Sequence, residues 1–129
     1  MVFPIPRRRR ILIAEDEPRI SSFLERGLQR NGYDTTVASR GDCALKLALS
    51  GDFDLLLLDI GLPFKDGWEI LESLKGRNSS LRVIIVTAQE SAGDRLEQAE
   101  SSIKSMIIDC ITKPFRFNTL LNQINAQFS

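Results

Sequence analysis

The sequence predicts a single-domain α/β fold built on a parallel sheet, and three observations predict it. Short apolar runs alternate with amphipathic helical stretches along the whole chain, the signature of successive βα units. The run over 81–86 is apolar on both faces, as a central parallel strand is. A length of 129 residues and a hydrophobic content of 43% suit one core that needs neither disulfides nor a structural metal.

Each element has its own signal. The first strand is expected over 10–14, before Glu15-Asp16. Pro18 suits the first turn of a helix. Ile20, Phe23, Leu24 and Leu28 then recur at helical spacing until Asn31-Gly32 stops it. A short second strand covers 34–38. A second helix over 41–50 carries Ala44, Leu45, Leu47, Ala48 and Leu49. The apolar run from Phe53 makes a third strand ending at Asp59. A Gly/Pro loop over 61–67 follows, and Trp68, Ile70, Leu71 and Leu74 mark a third helix, broken over 76–80. The fourth strand delivers Thr87-Ala88. A polar fourth helix is expected over 90–105, with Leu96, Ala99 and Ile103 as its core anchors. The fifth strand runs over 107–111 into Lys113-Pro114, where Lys113 is restricted to extended geometry and the bond is a candidate for cis. Phe117, Leu120, Leu121, Ile124 and Phe128 line a fifth helix. Residues 1–9 form a flexible basic arm, and 10–129 form the domain.

Charge and composition exclude several functions. Lys+Arg and Asp+Glu number 17 each, so the balance selects neither nucleic acid nor membrane. Arg7 to Arg10 are read as a solvated basic tail. No apolar run is long enough to cross a bilayer. The apolar start of the chain precedes the arginines and is broken by Pro4 and Pro6, unlike a signal peptide, so a cytoplasmic setting is expected. Cys43 and Cys110 are expected to be free, buried thiols. The absence of histidine removes His-ligated metals, Ser-His and Cys-His catalysis, and a phosphohistidine-carrier role.

The chemistry gathers at strand ends. Open α/β sheets place ligands outside the carboxyl ends of their strands, where Glu15-Asp16, Asp59, Thr87 and Lys113 all fall. A carboxylate such as Asp59 can attack a phosphoryl group and hold it as an acyl phosphate. A divalent cation bridging the carboxylates and the phosphoryl oxygens relieves the repulsion between these anions. Mg²⁺ is satisfied by few carboxylates plus waters, so Asp16 and Asp59 suffice, with Glu15 in reach directly or through water. Lys113 supplies a point charge for phosphate oxygens, and the Thr87 hydroxyl can donate to one. Each residue also has a plainer reading: dipole-favoured acids after the first strand, a solvated loop lysine, a helix-capping threonine. Together the set points to metal-assisted phosphoryl transfer.

In order and spacing, Glu15-Asp16, Asp59 with Pro63 and Gly67, Thr87-Ala88 and Lys113-Pro114-Phe115 resemble the receiver domain of two-component response regulators, across nearly the whole chain. The resemblance implies a single doubly wound (βα)₅ flavodoxin-like domain with a five-stranded parallel sheet in the order 2-1-3-4-5. It implies phosphorylation of Asp59 by a sensor histidine kinase or phosphotransfer protein. It also implies Mg²⁺ held by Glu15, Asp16, Asp59 and the Gly61 carbonyl, and phosphoryl contacts from Thr87 and Lys113. The domain would catalyse its own phosphorylation and slow dephosphorylation. Gly61 leaves room on the path of the attacking water, and Gln89 can hydrogen-bond that water. The implied partners are the kinase, an effector or output domain of unknown identity, and a second copy of the chain. The chain ends where the fifth helix should, so direct nucleic-acid binding is not expected.

Three departures fall on the face that carries output in this family. Met106-Ile107 and Cys110 stand where a small pair and an aromatic are usual. The stretch from Thr87 to Cys110 is about one helical turn longer than usual. Thr119 and Gln123 replace charged residues of the fifth helix. An atypical switch follows. The alternative is a pseudo-receiver that signals without phosphorylation, against which the intact Asp59, Thr87 and Lys113 set argues. A haloacid-dehalogenase-type phosphatase would need an acid where Gly61 stands. A flavodoxin-like nucleotide site would be repelled by Glu15-Asp16-Glu17.

Overall fold

Five parallel strands lie in the order β2-β1-β3-β4-β5, as the resemblance implies. The computed structural model describes residues 7–77 and 80–128. The elements are β1 (Arg10–Ala14), α1 (Pro18–Arg30), β2 (Asp34–Ala38), α2 (Gly41–Leu49), β3 (Leu55–Leu58), α3 (Gly67–Leu74), β4 (Arg82–Thr87), α4 (Ala92–Glu97), α5 (Ser101–Lys104), β5 (Ile107–Thr112) and α6 (Phe117–Phe128). The expected fifth helix is thus α6. Residues 1–6 of the arm, including the prolines weighed against a signal peptide, and Asn78-Ser79 of the turn after α3 lie outside the described residues.

Strand alternation divides the core into two layers. Leu12 and Ala14 of β1, Leu56 and Leu58 of β3, and Val83 and Ile85 of β4 pack with Ala44, Ala48, Ile70, Leu71 and Ile103 on one face. Ile11 and Ile13, Leu55 and Leu57, and Ile84 and Val86 pack with Leu24, Leu28, Leu120 and Ile124 on the other. Registers such as Ile11 beside Leu55 and Leu12 beside Leu56 keep these rows aligned across the sheet. The uninterrupted leucines of β3 are therefore a consequence of burial on both faces.

The helix starts are built locally. The Glu17 carboxylate accepts the Arg19 N–H at the start of α1, with Pro18 in its first turn. Asp66 does the same for α3, accepting from Glu69 N–H at 3.0 Å. Gly41 is different, because a tertiary contact requires it. Its N–H donates to the Pro63 carbonyl at 2.9 Å, and a Cβ there would fall 1.6 Å from the Lys65 carbonyl oxygen. The start of α2 therefore seats the loop between β3 and α3.

Two expectations need correction. The helix expected over 90–105 is two short ones, α4 and α5, separated at Gln98 to Glu100. Glu100 is extended (φ −59°, ψ 151°), and both its carboxylate oxygens take the Lys75 ammonium at 3.1 Å. Few apolar residues hold this stretch: Ala92 and Ile103 are buried, whereas Leu96 and Ala99 are only half-buried. The stretch between α4 and α5 is tied back to Lys75, the residue that ends α3. Cys43 is exposed rather than buried, and Cys110 is half-buried; both are free thiols. Because α2 turns Gly41, Ala44 and Ala48 inward, Cys43 faces solvent.

Arg7 to Arg9 precede β1 without regular structure. Arg7 donates to Asp54 at 3.1 Å, Arg8 lies 3.9 Å from Asp34, and the Arg9 guanidinium sits 5.0 Å over the Phe128 ring. Among the described residues no helix is long and apolar enough to cross a membrane.

Gly41→Ala should cost about 1–3 kcal/mol, because the added methyl meets backbone that cannot swing aside. Urea denaturation checks this; a variant as stable as wild type would show that the loop yields freely.

Candidate functional site

Backbone ties fix the strand-end residues before any side chain acts. Asp59 lies one residue past β3, yet its N–H donates to the Ala14 carbonyl at 3.0 Å. Glu15 is tied in the same way to Ala38 at 3.0 Å, and Lys113 to Thr87 at 2.8 Å. Each strand end is thus held by its neighbour. The Lys113–Pro114 bond is cis.

The side chains converge on one point. Lys113 Nζ donates to Glu15 Oε1 and, at 3.1 Å, to Asp59 Oδ2. The other Asp59 oxygen, Oδ1, accepts the Gly61 N–H at 3.1 Å. The other Glu15 oxygen, Oε2, accepts the Glu17 N–H at 3.1 Å. Carboxylate oxygens of Glu15, Asp16 and Asp59 lie within 4.8 Å of one another. Asp16 is exposed, whereas Glu15 is only 4% exposed and the Asp59 side chain 12%. A hard-oxygen cluster of this spacing, open on one side, fits Mg²⁺, which takes a few carboxylates and keeps its waters.

Thr87 is 1% exposed. Its oxygen accepts the Gln89 N–H at 3.3 Å, so the hydroxyl proton remains available to donate. It does not cap α4, which starts at Ala92 without a side-chain cap. A Cβ on Gly61 would lie 3.7 Å from the Gln89 amide nitrogen and 3.8 Å from Asp59 Oδ1. Gly61 and Gln89 therefore border the space over the Asp59 carboxylate.

All the expected residues lie at this end of the sheet. Glu15, read as a supporting acid, is the most buried acid of the cluster and the direct partner of Lys113. Gly61 meets Asp59 through its N–H, a contact no side-chain pattern signals. Sequence reasoning also missed Gly41, whose seating of the 61–66 loop depends on a contact between segments far apart in the chain.

The electrostatics are those of acids crowded on one cation. Burial pushes the Glu15 carboxyl above its usual value, against the downward pull of Lys113 and the Glu17 N–H. For Lys113, burial pulls down, but hydrogen bonds to Glu15 and Asp59 outweigh it and hold the ammonium above its usual value. Burial, then the charge of Asp109, pushes the Cys110 thiol up, away from the reactive thiolate.

The Glu15 direction fixes a pH effect. A carboxyl raised by folding contributes stability below its unfolded value of 4.5 and loses it as pH rises through the folded value. Stability of wild type relative to Glu15→Gln should therefore improve between pH 7 and about pH 4.5, read by urea denaturation. The opposite trend would mean that the ion pair with Lys113 outweighs burial.

The family model for the response regulator receiver domain matches residues 11–125. The transcriptional regulatory protein HprR of Escherichia coli K12 is 38% identical over 118 residues, covering 92% of this chain and 51% of its own. The chain thus spans about half the length of the curated relatives it matches. Among solved structures, the Francisella response regulator 1452 receiver domain superimposes with a TM-score of 0.80 at 32% identity, covering 93% of this chain and 96% of that one. The Thermotoga maritima response regulator TrrA, solved with Mg²⁺–BeF, gives 0.77 at 30% identity, covering 92% and 97%.

Proposed function

The chain belongs to the response-regulator receiver domain family, and from that premise we propose that Asp59 is its phospho-acceptor. The observation that carries this reading is the Asp59 carboxylate held by Lys113 at 3.1 Å, within 4.8 Å of the acids Glu15 and Asp16. Asp59 attacks the phosphorus of a phosphohistidine on a sensor kinase or phosphotransfer protein, or of a small acyl phosphate. The P–O bond to Asp59 forms as the bond to the leaving imidazole or carboxylate breaks. Phosphohydrolysis later returns the free carboxylate. The same chemistry with a small donor makes the domain its own slow catalyst.

Glu15, Asp16, Asp59 and the Gly61 carbonyl are the proposed Mg²⁺ ligands. When bound, the ion supplies charge that neutralises the phosphoryl oxygens beside three carboxylates. Lys113, already charged and aimed at Asp59, exchanges that partner for a phosphoryl oxygen. Thr87 donates its hydroxyl to another. The complex of the related TrrA with Mg²⁺–BeF supports this assignment by likeness.

The switch has to work without a rotating aromatic. Cys110 is half-buried and packs against the cluster that includes Val83, Ile85, Ile103 and Met106. The proposed output is the surface around α4, α5, β5 and α6, read by an effector, an output domain or a second copy. The proposed setting is cytoplasmic. Because Asp59, Lys113 and the acids stand together, the phosphorylating reading is preferred to a pseudo-receiver.

Intact mass after incubation with Mg²⁺ and acetyl phosphate tests this. One phosphoryl group is expected on wild type, none on Asp59→Asn, and none when EDTA removes the metal. An adduct on Asp59→Asn, or none on wild type, would contradict the assignment. Lys113→Ala should keep the fold yet slow adduct formation by about ten-fold or more, and an unchanged rate would remove the lysine from the chemistry.

A further inference from the structure

The loop between β3 and α3 carries a side chain that the fold does not explain. Phe64 has φ +70°, the one positive φ at a non-glycine among the described residues. That region is sterically poor for a side chain with a Cβ, and glycine adopts it freely. The conformation is fixed by its neighbours. The Pro63 carbonyl accepts the Gly41 N–H at 2.9 Å, and the Lys65 carbonyl closes on the Gly41 α-carbon, 1.6 Å from where a Cβ would stand. Gly67 N–H ties the loop's far end to the Ile60 carbonyl at 2.8 Å. These ties flank Phe64 on both sides, where the backbone turns left-handed.

Glycine would meet this need without strain, yet the position holds a phenylalanine. Its ring is not used for packing: Phe64 is 76% exposed, more than any other large hydrophobic among the described residues. It is also held in place. The Arg40 guanidinium lies 3.9 Å from the ring centroid and is itself gripped by Asp42 through two hydrogen bonds, 3.1 Å and 2.7 Å. A strained backbone, a clamped loop and a stacked cation thus present an aromatic ring to solvent, and strain of this kind persists where function uses it.

Resting on the phospho-acceptor reading, we propose that Phe64, steadied by Arg40, is a docking contact for the protein that delivers the phosphoryl group to Asp59. The location selects this occupant. The Asp59 side chain is only 12% exposed, so a phosphohistidine can reach it only if the donor protein covers the loops around it. Phe64 stands on one of those loops, five residues after Asp59. A rigid aromatic with few rotatable bonds is an efficient anchor for such an interface. A small donor such as acetyl phosphate needs no surface and would not sense the ring.

The test separates the two donors. Phe64→Gly is the informative variant, because glycine accepts the left-handed backbone and should leave the melting temperature equal or higher. Phosphotransfer is measured from acetyl phosphate and from the autophosphorylated cytoplasmic core of whichever histidine kinase, in a panel, transfers fastest to wild type. Phe64→Gly should lose about ten-fold or more with the kinase core and stay within about two-fold with acetyl phosphate. Arg40→Ala should lose less, in the same direction. Transfer from the kinase core within about two-fold of wild type, or an equal loss with both donors, would overturn the docking role while leaving Asp59 as acceptor. No adduct on wild type from either donor would overturn the acceptor reading and this inference with it.

Discussion

The Lys113 ammonium is the charge on which the site depends. Two largely buried carboxylates, Glu15 and Asp59, share it, and Asp16 stands beside them within 4.8 Å. Without a cation, these like charges would repel one another in a poorly solvated place. Lysine solves the problem only in part, since burial still raises the Glu15 carboxyl. The residual excess of negative charge is what a divalent cation is suited to offset.

The rest of the fold serves to deliver these groups. Leucine, isoleucine and valine on both faces of β1, β3 and β4 fix the sheet. Main-chain bonds between neighbouring strand ends then carry that order past the strands, from Ala14 to Asp59 and from Thr87 to Lys113. Gly41 extends it further by seating the loop that holds Phe64. Main-chain hydrogen bonding therefore continues from the core to the rim of the site, where the acids lie within 4.8 Å of one another. The opposite trend is seen at α4 and α5, where few apolar anchors leave a broken segment tied by Lys75 and Glu100.

Much of this was legible in the sequence, and the exceptions have physical reasons. Apolar runs ending in acids, threonine or lysine placed the site at strand ends, because parallel strands bury both faces and expose only their tips. The β2-β1-β3-β4-β5 order came from family resemblance, since periodicity carries no order. The break at Glu100 was not legible: a polar stretch with sparse anchors has a weak helical period, and the contact that ends it comes from α3. The direct pairing of Glu15 with Lys113 depends on which of two adjacent acids turns inward. Phe64 gave no sign either, because positive φ is signalled by glycine or asparagine, and here the constraint comes from Gly41, a residue distant in sequence.

The most direct test of the charge-balance account is the stability of wild type and Lys113→Met by urea denaturation as Mg²⁺ is raised from zero to saturation. Without Mg²⁺ the variant should be the less stable, since Glu15 and Asp59 lose their counter-charge. Mg²⁺ should then narrow the gap by supplying that charge and stabilising the folded state it binds. A variant at least as stable as wild type without metal, or a gap that Mg²⁺ leaves unchanged, would contradict the account.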